Sequence, residues 1–227
     1  MTEPAMAQDS LAFAEARANM VDSQVRPNKV NDPRIVAAMR QLPRERFVPP
    51  GLAARAYIDQ DVPLGGGRVL LEPMVIARLL QLTAIAAGER ALVVAAGTGY
   101  GAALLAACGA RVTALEEAAP LLAIAGATLS EFAPSVSLVT GPLAAGWPAG
   151  APYDVILIEG AVPAIPPAIG DQLHKETGRL VTIIAGADVC GYAVLAEATS
   201  MGLRPQPMFD CGSAAIPSLL PQPGFVF

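Results

Sequence analysis

The segment from Ala91 to Glu116, ALVVAAGTGYGAALLAACGARVTALE, constrains the fold of this chain more than any other. Ala91–Ala96 is an apolar, valine-bearing run too short for a helix, which predicts a buried parallel strand. Gly97, Thr98, Gly99, Tyr100 and Gly101 then form a turn in which glycine permits positive φ and close approach of a ligand to the backbone. Ala102–Ala107 consists of strong helix formers, so the turn is expected to open into a helix whose first amides face a crevice. Gly109 can end that helix. Arg111–Leu115 reads as the next strand, with Glu116 at its carboxyl tip. An acid there can accept hydrogen bonds from both ribose hydroxyls of an adenosine.

A strand, glycine turn, helix and acid in this order predict a nucleotide or nucleoside site, and two cofactors suit it. NAD prefers G-x-G-x-x-G, and Ala102 would take the place of the third glycine. S-adenosyl-L-methionine is the other candidate, and spacing alone does not separate them. With 227 residues, 53% hydrophobic and 15% charged, the chain has enough apolar material for one substantial core. The net charge of −5 and the lack of any Lys/Arg run argue against nucleic acid as a partner. The N-terminus has no cationic stretch of the secretory kind, and no uninterrupted apolar run reaches membrane-spanning length, so a cytoplasmic location and no membrane partner are expected. Cys108, Cys190 and Cys211 are expected to be buried, reduced thiols and not metal ligands. His174 is the only histidine, which argues against a histidine metal centre or a Ser-His-Asp triad.

Residues 10–26 have helical apolar spacing and should stop at Pro27. Asn31 or Asp32 can cap a second helix with Pro33 in its first turn. Residues 51–71 read as irregular, with Gly65-Gly66-Gly67 either wrapping a ligand or forming a mobile connection. Helices are expected over 72–87, 120–132 and 166–173, and strands over 135–139, 153–158 and 179–184. Such alternation predicts a parallel sheet covered on both faces. Ligands bind outside the carboxyl ends of such strands, which would gather Gly97–Gly101, Glu116, Gly141, Pro142, Leu143 and Glu159 around one crevice. From Gly191 the pieces GYAVLAEAT, PQPMFDC, SAAIPSLL and GFVF are strand-like without crossover helices, which suggests an antiparallel hairpin at one sheet edge.

The segments Met20–Pro50, Ala56–Arg68, Gly97–Ala106, Pro152–Ala161 and Gln172–Val181 resemble the protein-L-isoaspartate O-methyltransferase family. PRERFVP (Pro43–Pro49) and AYIDQDVPLGGG (Ala56–Gly67) are the specific part, because general methyltransferases lack them. The resemblance runs from about Ala16 to Phe227. It implies an α/β class I methyltransferase fold: a Rossmann-like, doubly wound seven-stranded sheet with an antiparallel C-terminal hairpin. Residues 1–72 would form an N-terminal helical extension and substrate-side loop, and 73–227 the Rossmann-like part, in one compact unit. It further implies S-adenosyl-L-methionine as cofactor and methylation of the carboxylate of isoaspartyl residues in damaged proteins, with a monomer or homodimer as the working form. Gly97, Thr98, Gly99, Tyr100, Gly101, Glu116, Gly141, Pro142 and Leu143 would line the cofactor, and Gly65, Gly66, Gly67, Arg68, Leu71 and Glu72 the substrate.

Three positions depart from the family pattern. Leu71 stands where a serine hydroxyl of T-I-S-x-P helps hold the substrate carboxylate. Ala95 replaces an acid two residues before the glycine turn, and Pro142 replaces the Asp of G-D-G that meets the adenine edge. Each lost contact is expected to cost about 1–2 kcal/mol, roughly tenfold in affinity. Glu72 and Glu159 add negative charge near the acceptor and are expected to face solvent or cap helix amides. The departures leave room for the same fold with another methyl acceptor, for which Glu159 would be base or orienter. They also leave room for a non-catalytic descendant that binds a metabolite or a protein.

Overall fold

Five parallel strands and an antiparallel pair make one sheet, in the order β5 (Ser137–Thr140), β4 (Arg111–Glu116), β3 (Arg90–Val94), β6 (Val155–Val162), β7 (Arg179–Ile184), β8 (Gly191–Thr199), β9 (Gly202–Cys211). The structure, a computed structural model, describes residues 3–186 and 191–221. The strand order reverses between β4 and β6, on either side of β3, which is where a sheet of this kind opens a crevice. Side chains alternate along each strand, so Ala91 and Val93 enter one apolar cluster while Leu92 and Val94 enter the other. β6 is buried along its whole length, as a strand covered on both faces must be.

Helix α4 (Tyr100–Ala107) follows the glycine turn and α5 (Ala119–Phe132) follows β4. Gly109, at φ +97°, directly follows the end of α4 as expected. The N-terminal helix α1 (Glu3–Met20) continues into a π-helical turn (Val21–Val25) and a 3-10 turn (Arg26–Asn28) that contains Pro27. Helix α2 (Pro33–Gln41) is capped by Asp32, whose carboxylate accepts from the Arg34 amide at 2.9 Å. Met20, Val21, Val25, Ile35 and Met39 join the same apolar cluster as Ala91 and Val93, so the N-terminal helices share the core of the sheet. Cys108 and Cys211 are buried, and Cys190 lies outside the described residues. Among the described residues no helix is long and apolar enough to cross a membrane.

Several sequence expectations need correction. Residues 51–71 are not irregular throughout. Val62–Gly65 (β1) and Arg68–Leu70 (β2) pair as a separate antiparallel hairpin. Val62, Leu64 and Leu70 are buried in it while Pro63 stays exposed, a period-two pattern that the proline and the glycines obscure in the sequence. The three glycines form its exposed turn, with φ of 98°, 58° and 75°. The helix expected over 72–87 is α3 (Pro73–Thr83), stopped by Ala84 in the left-handed region at φ +45°. SAAIPSLL is not a strand: Ala215 makes one bridge to Ala161, and Pro217–Leu219 is a 3-10 turn. GFVF lies outside the described residues.

Candidate functional site

The glycine turn sits where the strand order reverses. Gly97 and Gly99 have φ of 57° and 92°, and the Gly99 amide donates to the Ala96 carbonyl at 2.8 Å. The Thr98 hydroxyl donates to the Phe47 carbonyl at 2.5 Å, and the Thr128 hydroxyl donates to the Thr98 carbonyl at 2.9 Å. These bonds tie the turn to the N-terminal segment on one side and to α5 on the other. All of Gly97, Thr98, Gly99, Tyr100 and Gly101 are buried.

Glu116 ends β4 beside this turn and is fully buried. Its Oε2 accepts from the Gly97 amide at 2.8 Å. Its Oε1 accepts from the Glu117 and Ala118 amides at 2.9 and 3.0 Å. Both oxygens also receive Arg68 Nη1, at 3.1 and 3.2 Å. Arg68 Nη2 donates to the Ala95 carbonyl at 2.6 Å, and the side chains of the pair are only 7% and 0% exposed. A carboxylate offers about four lone-pair positions, and here all of them are taken. The acid expected to receive a ribose instead receives an arginine from β2, placed on the substrate side in the sequence reading.

At the end of β5, the Gly141 amide donates to the Glu116 carbonyl at 3.3 Å. The Leu143 amide donates to Glu117 Oε2 at 3.2 Å. The Leu143 side chain is fully buried in an apolar cluster with Leu115 and Ile158, while Pro142 is exposed. A Cβ on Gly141 would meet the Trp147 ring at 3.4 Å, an ordinary contact, so the indole lies beside the strand end.

A second buried polar group lies on the other side of the turn. Glu159 is 5% exposed, so the expectation that it faces solvent fails. It sits against Gly101, where a Cβ would collide with Oε2, and that oxygen has no hydrogen-bond partner among the described residues. Burial pushes its carboxyl up to about 8, against the opposing pull of the Arg68 and Arg44 guanidiniums, with Glu116 adding to the rise and the Gly101 amide opposing it. Arg44, which the sequence reading did not single out as a site residue, is completely buried. It donates through Nε to the Ala56 carbonyl at 2.6 Å and through Nη2 to the Leu71 carbonyl at 2.5 Å. Its guanidinium carbon lies 4.9 Å from the centre of the Tyr100 ring. Arg44 Nη1 and the Tyr100 hydroxyl are also without partners among the described residues. The available signal was its place in PRERFVP (Pro43–Pro49), one of the two segments specific to the family resemblance.

On the substrate side, Leu71 is buried at 1% exposure and Gly65, Gly66 and Gly67 are exposed. Glu72 precedes α3 but makes no side-chain cap, so of the two expected outcomes, facing solvent or capping helix amides, the cap is absent. It is half-buried, and burial together with Asp59 and Asp61 raises its carboxyl above the usual range. The Glu72 amide itself donates to Asp61 Oδ1 at 2.8 Å.

A sequence model of the family described as protein-L-isoaspartate(D-aspartate) O-methyltransferase (PCMT) matches residues 15–194. This chain belongs to the protein-L-isoaspartate O-methyltransferase family. A relative of that name from Methylorubrum extorquens (strain PA1) is 42% identical over 180 residues, 79% of this chain and 78% of the relative. Another from Koribacter versatilis (strain Ellin345) is 38% identical over 186 residues, 82% of this chain and 83% of the relative. A solved protein-L-isoaspartate O-methyltransferase superposes with a TM-score of 0.75 at 22% identity, over 88% of this chain and 65% of that longer one. At that identity the likeness establishes the fold, a class I methyltransferase sheet with an antiparallel C-terminal hairpin.

Within this methyltransferase family member, the glycine turn, its helix and Glu116 have the arrangement that an adenosyl cofactor requires. The residues around them do not fit such a group as they stand. Arg68 holds the carboxylate, Leu64 of β1 packs at 3.4 Å from where a Gly97 Cβ would be, and the turn is buried. Each of the three family departures leaves an apolar side chain where the family pattern has a polar one. Ala95 presents only its carbonyl to Arg68, Pro142 offers no donor, and Leu71 offers only an apolar side chain.

Proposed function

We propose that this chain is an S-adenosyl-L-methionine-dependent methyltransferase whose acceptor is the carboxylate of an isoaspartyl residue in a damaged protein or peptide. The observation that carries this reading is the family match over residues 15–194, together with relatives of that name at 42% and 38% identity. When bound, the cofactor supplies an electrophilic methyl group. The acceptor carboxylate is already a nucleophile, so the chain's task is to orient it and keep water away. Leu71 contributes a wall without a hydrogen bond. The unpartnered Arg44 Nη1 and Tyr100 hydroxyl are donors that would stand in for the lost serine, since Arg44 is itself bonded to the Leu71 carbonyl.

Glu159 bears on the alternative, transfer to a neutral nucleophile. With its carboxyl near 8, it is protonated at pH 7 and is a donor available to a ligand; as a base it would act only above that pH. This favours the carboxylate acceptor, which brings its own negative charge. The test is incubation with methyl-labelled cofactor and an isoaspartyl peptide beside its aspartyl isomer. The expected result is base-labile label on the isoaspartyl peptide alone. Label on neither peptide, in folded protein with cofactor bound, would overturn the proposed acceptor.

A further inference from the structure

We propose that Arg68 is an intramolecular competitor for the nucleoside: its guanidinium occupies the face of Glu116 that ribose hydroxyls would use, and a nucleoside enters only when the β1–β2 hairpin withdraws it. This rests on reading Gly97–Glu116 as the cofactor site.

The geometry supports it in three ways. The competition is for specific lone pairs. Gly97, Glu117 and Ala118 donate backbone amides to Glu116, and these bonds belong to the turn and the strand end. Arg68 is the one side-chain donor among the described partners of this carboxylate, and so the one that can leave without unfolding the turn.

The cover is a single unit. Leu64 against Gly97 and Arg68 against Glu116 come from the two strands of one hairpin. That hairpin is a two-stranded sheet of its own, unpaired with the seven-stranded one, and its turn is three exposed glycines. Its movement would break no ladder of the main sheet. Pro217 is packed against Gly67, and Ser213 donates to Asp61 Oδ2 at 2.7 Å. These two contacts hold the hairpin down from the C-terminal side.

The charges also exclude joint occupancy. With Glu159 protonated at pH 7, Glu116, Arg44 and Arg68 leave the buried set with an excess positive charge. Withdrawal of Arg68 leaves Glu116 balanced by Arg44, so the compartment loses that excess positive charge. A cationic sulfonium would be repelled while Arg68 remained and admitted once it had left. Arg68 would also give up its bond to the Ala95 carbonyl on leaving.

The experiment is calorimetric titration of the wild type, Arg68→Ala and Arg68→Gln with S-adenosylhomocysteine, adenosine and 2′-deoxyadenosine, with thermal melts as the folding control. Both variants are expected to bind S-adenosylhomocysteine roughly 10- to 100-fold more tightly than the wild type. Adenosine should gain by a similar factor and 2′-deoxyadenosine by less, since the gain arises at the ribose. Equal or weaker binding by a folded variant would overturn the proposal, and so would a lack of binding by all three proteins. Equal binding by all three leaves the methyltransferase reading intact. Tighter binding by the variants, with no methyl transfer by cofactor-saturated wild type, keeps Arg68 as competitor and removes the proposed acceptor.

Discussion

Glu159→Gln is expected to be more stable than the wild type above pH 8, and the difference between the two should shrink to near zero by about pH 4.5. The Glu159 carboxyl stands near 8 in the folded chain against 4.5 for a free glutamate side chain. Between those limits the folded state keeps a proton that the unfolded state has lost. The stabilisation is therefore complete below about 4.5 and is lost as pH rises through about 8. At about 1.4 kcal/mol per pH unit the loss reaches at most about 5 kcal/mol. Glutamine stays neutral throughout and still offers an oxygen to the Gly101 amide. The groups that face this carboxyl are Arg68, Arg44 and Glu116. Arg44 keeps its bonds to the Ala56 and Leu71 carbonyls in the variant, so the comparison isolates the charge at position 159. Urea unfolding of both proteins at pH 5, 7 and 9 measures the difference. Parallel pH curves would show that Glu159 is ionised in the folded protein and would contradict its role as a donor.

Arg44→Met is expected to lose about 3–5 kcal/mol of stability, the usual range when one member of a buried charged set is removed. Two carbonyls lose their donor, and Glu159 loses one of the two cations that oppose its burial. The guanidinium also packs on the Tyr100 ring, a contact the thioether replaces only in part. Arg44→Lys should recover little, because a single ammonium on a flexible stem does not reproduce the fork that reaches Ala56 and Leu71 together. Denaturant unfolding at pH 7 checks this. A loss below about 1 kcal/mol for Arg44→Met would mean that these hydrogen bonds are weak in solution.

The parts of this protein that were legible in the sequence are those whose information is local. The β3–turn–α4–β4 unit could be read from Val93, Val94 and the glycines, since a short apolar run, a positive-φ turn and a helix-forming run follow one another within a few residues. Asp32 before Pro33 announced α2 for the same reason. The β1–β2 hairpin was hidden because Pro63 and three glycines in its short span outweigh the alternation of Val62 and Leu64. Glu116 was correctly placed at a strand tip, but its partner is 48 residues earlier in the chain, and no periodicity connects residues so far apart. Glu159 was misjudged because an acid at a strand tip is usually solvated. What buries it is the absence of a side chain at Gly101 and the closure of Arg44 and Tyr100 around it. Leu71, Ala95 and Pro142 looked like three independent losses of ligand contacts. The structure shows Leu71 holding Arg44 and Ala95 holding Arg68 through their carbonyls, so two of these positions belong to the internal network that closes the site.

A crystal structure of the wild-type protein grown with saturating S-adenosylhomocysteine tests the central claim most directly. The account predicts ribose hydroxyls on Glu116, the Arg68 guanidinium gone from both Glu116 and the Ala95 carbonyl, and Leu64 lifted from Gly97. A nucleoside bound at the glycine turn while Arg68 still holds Glu116 and Ala95 would contradict it.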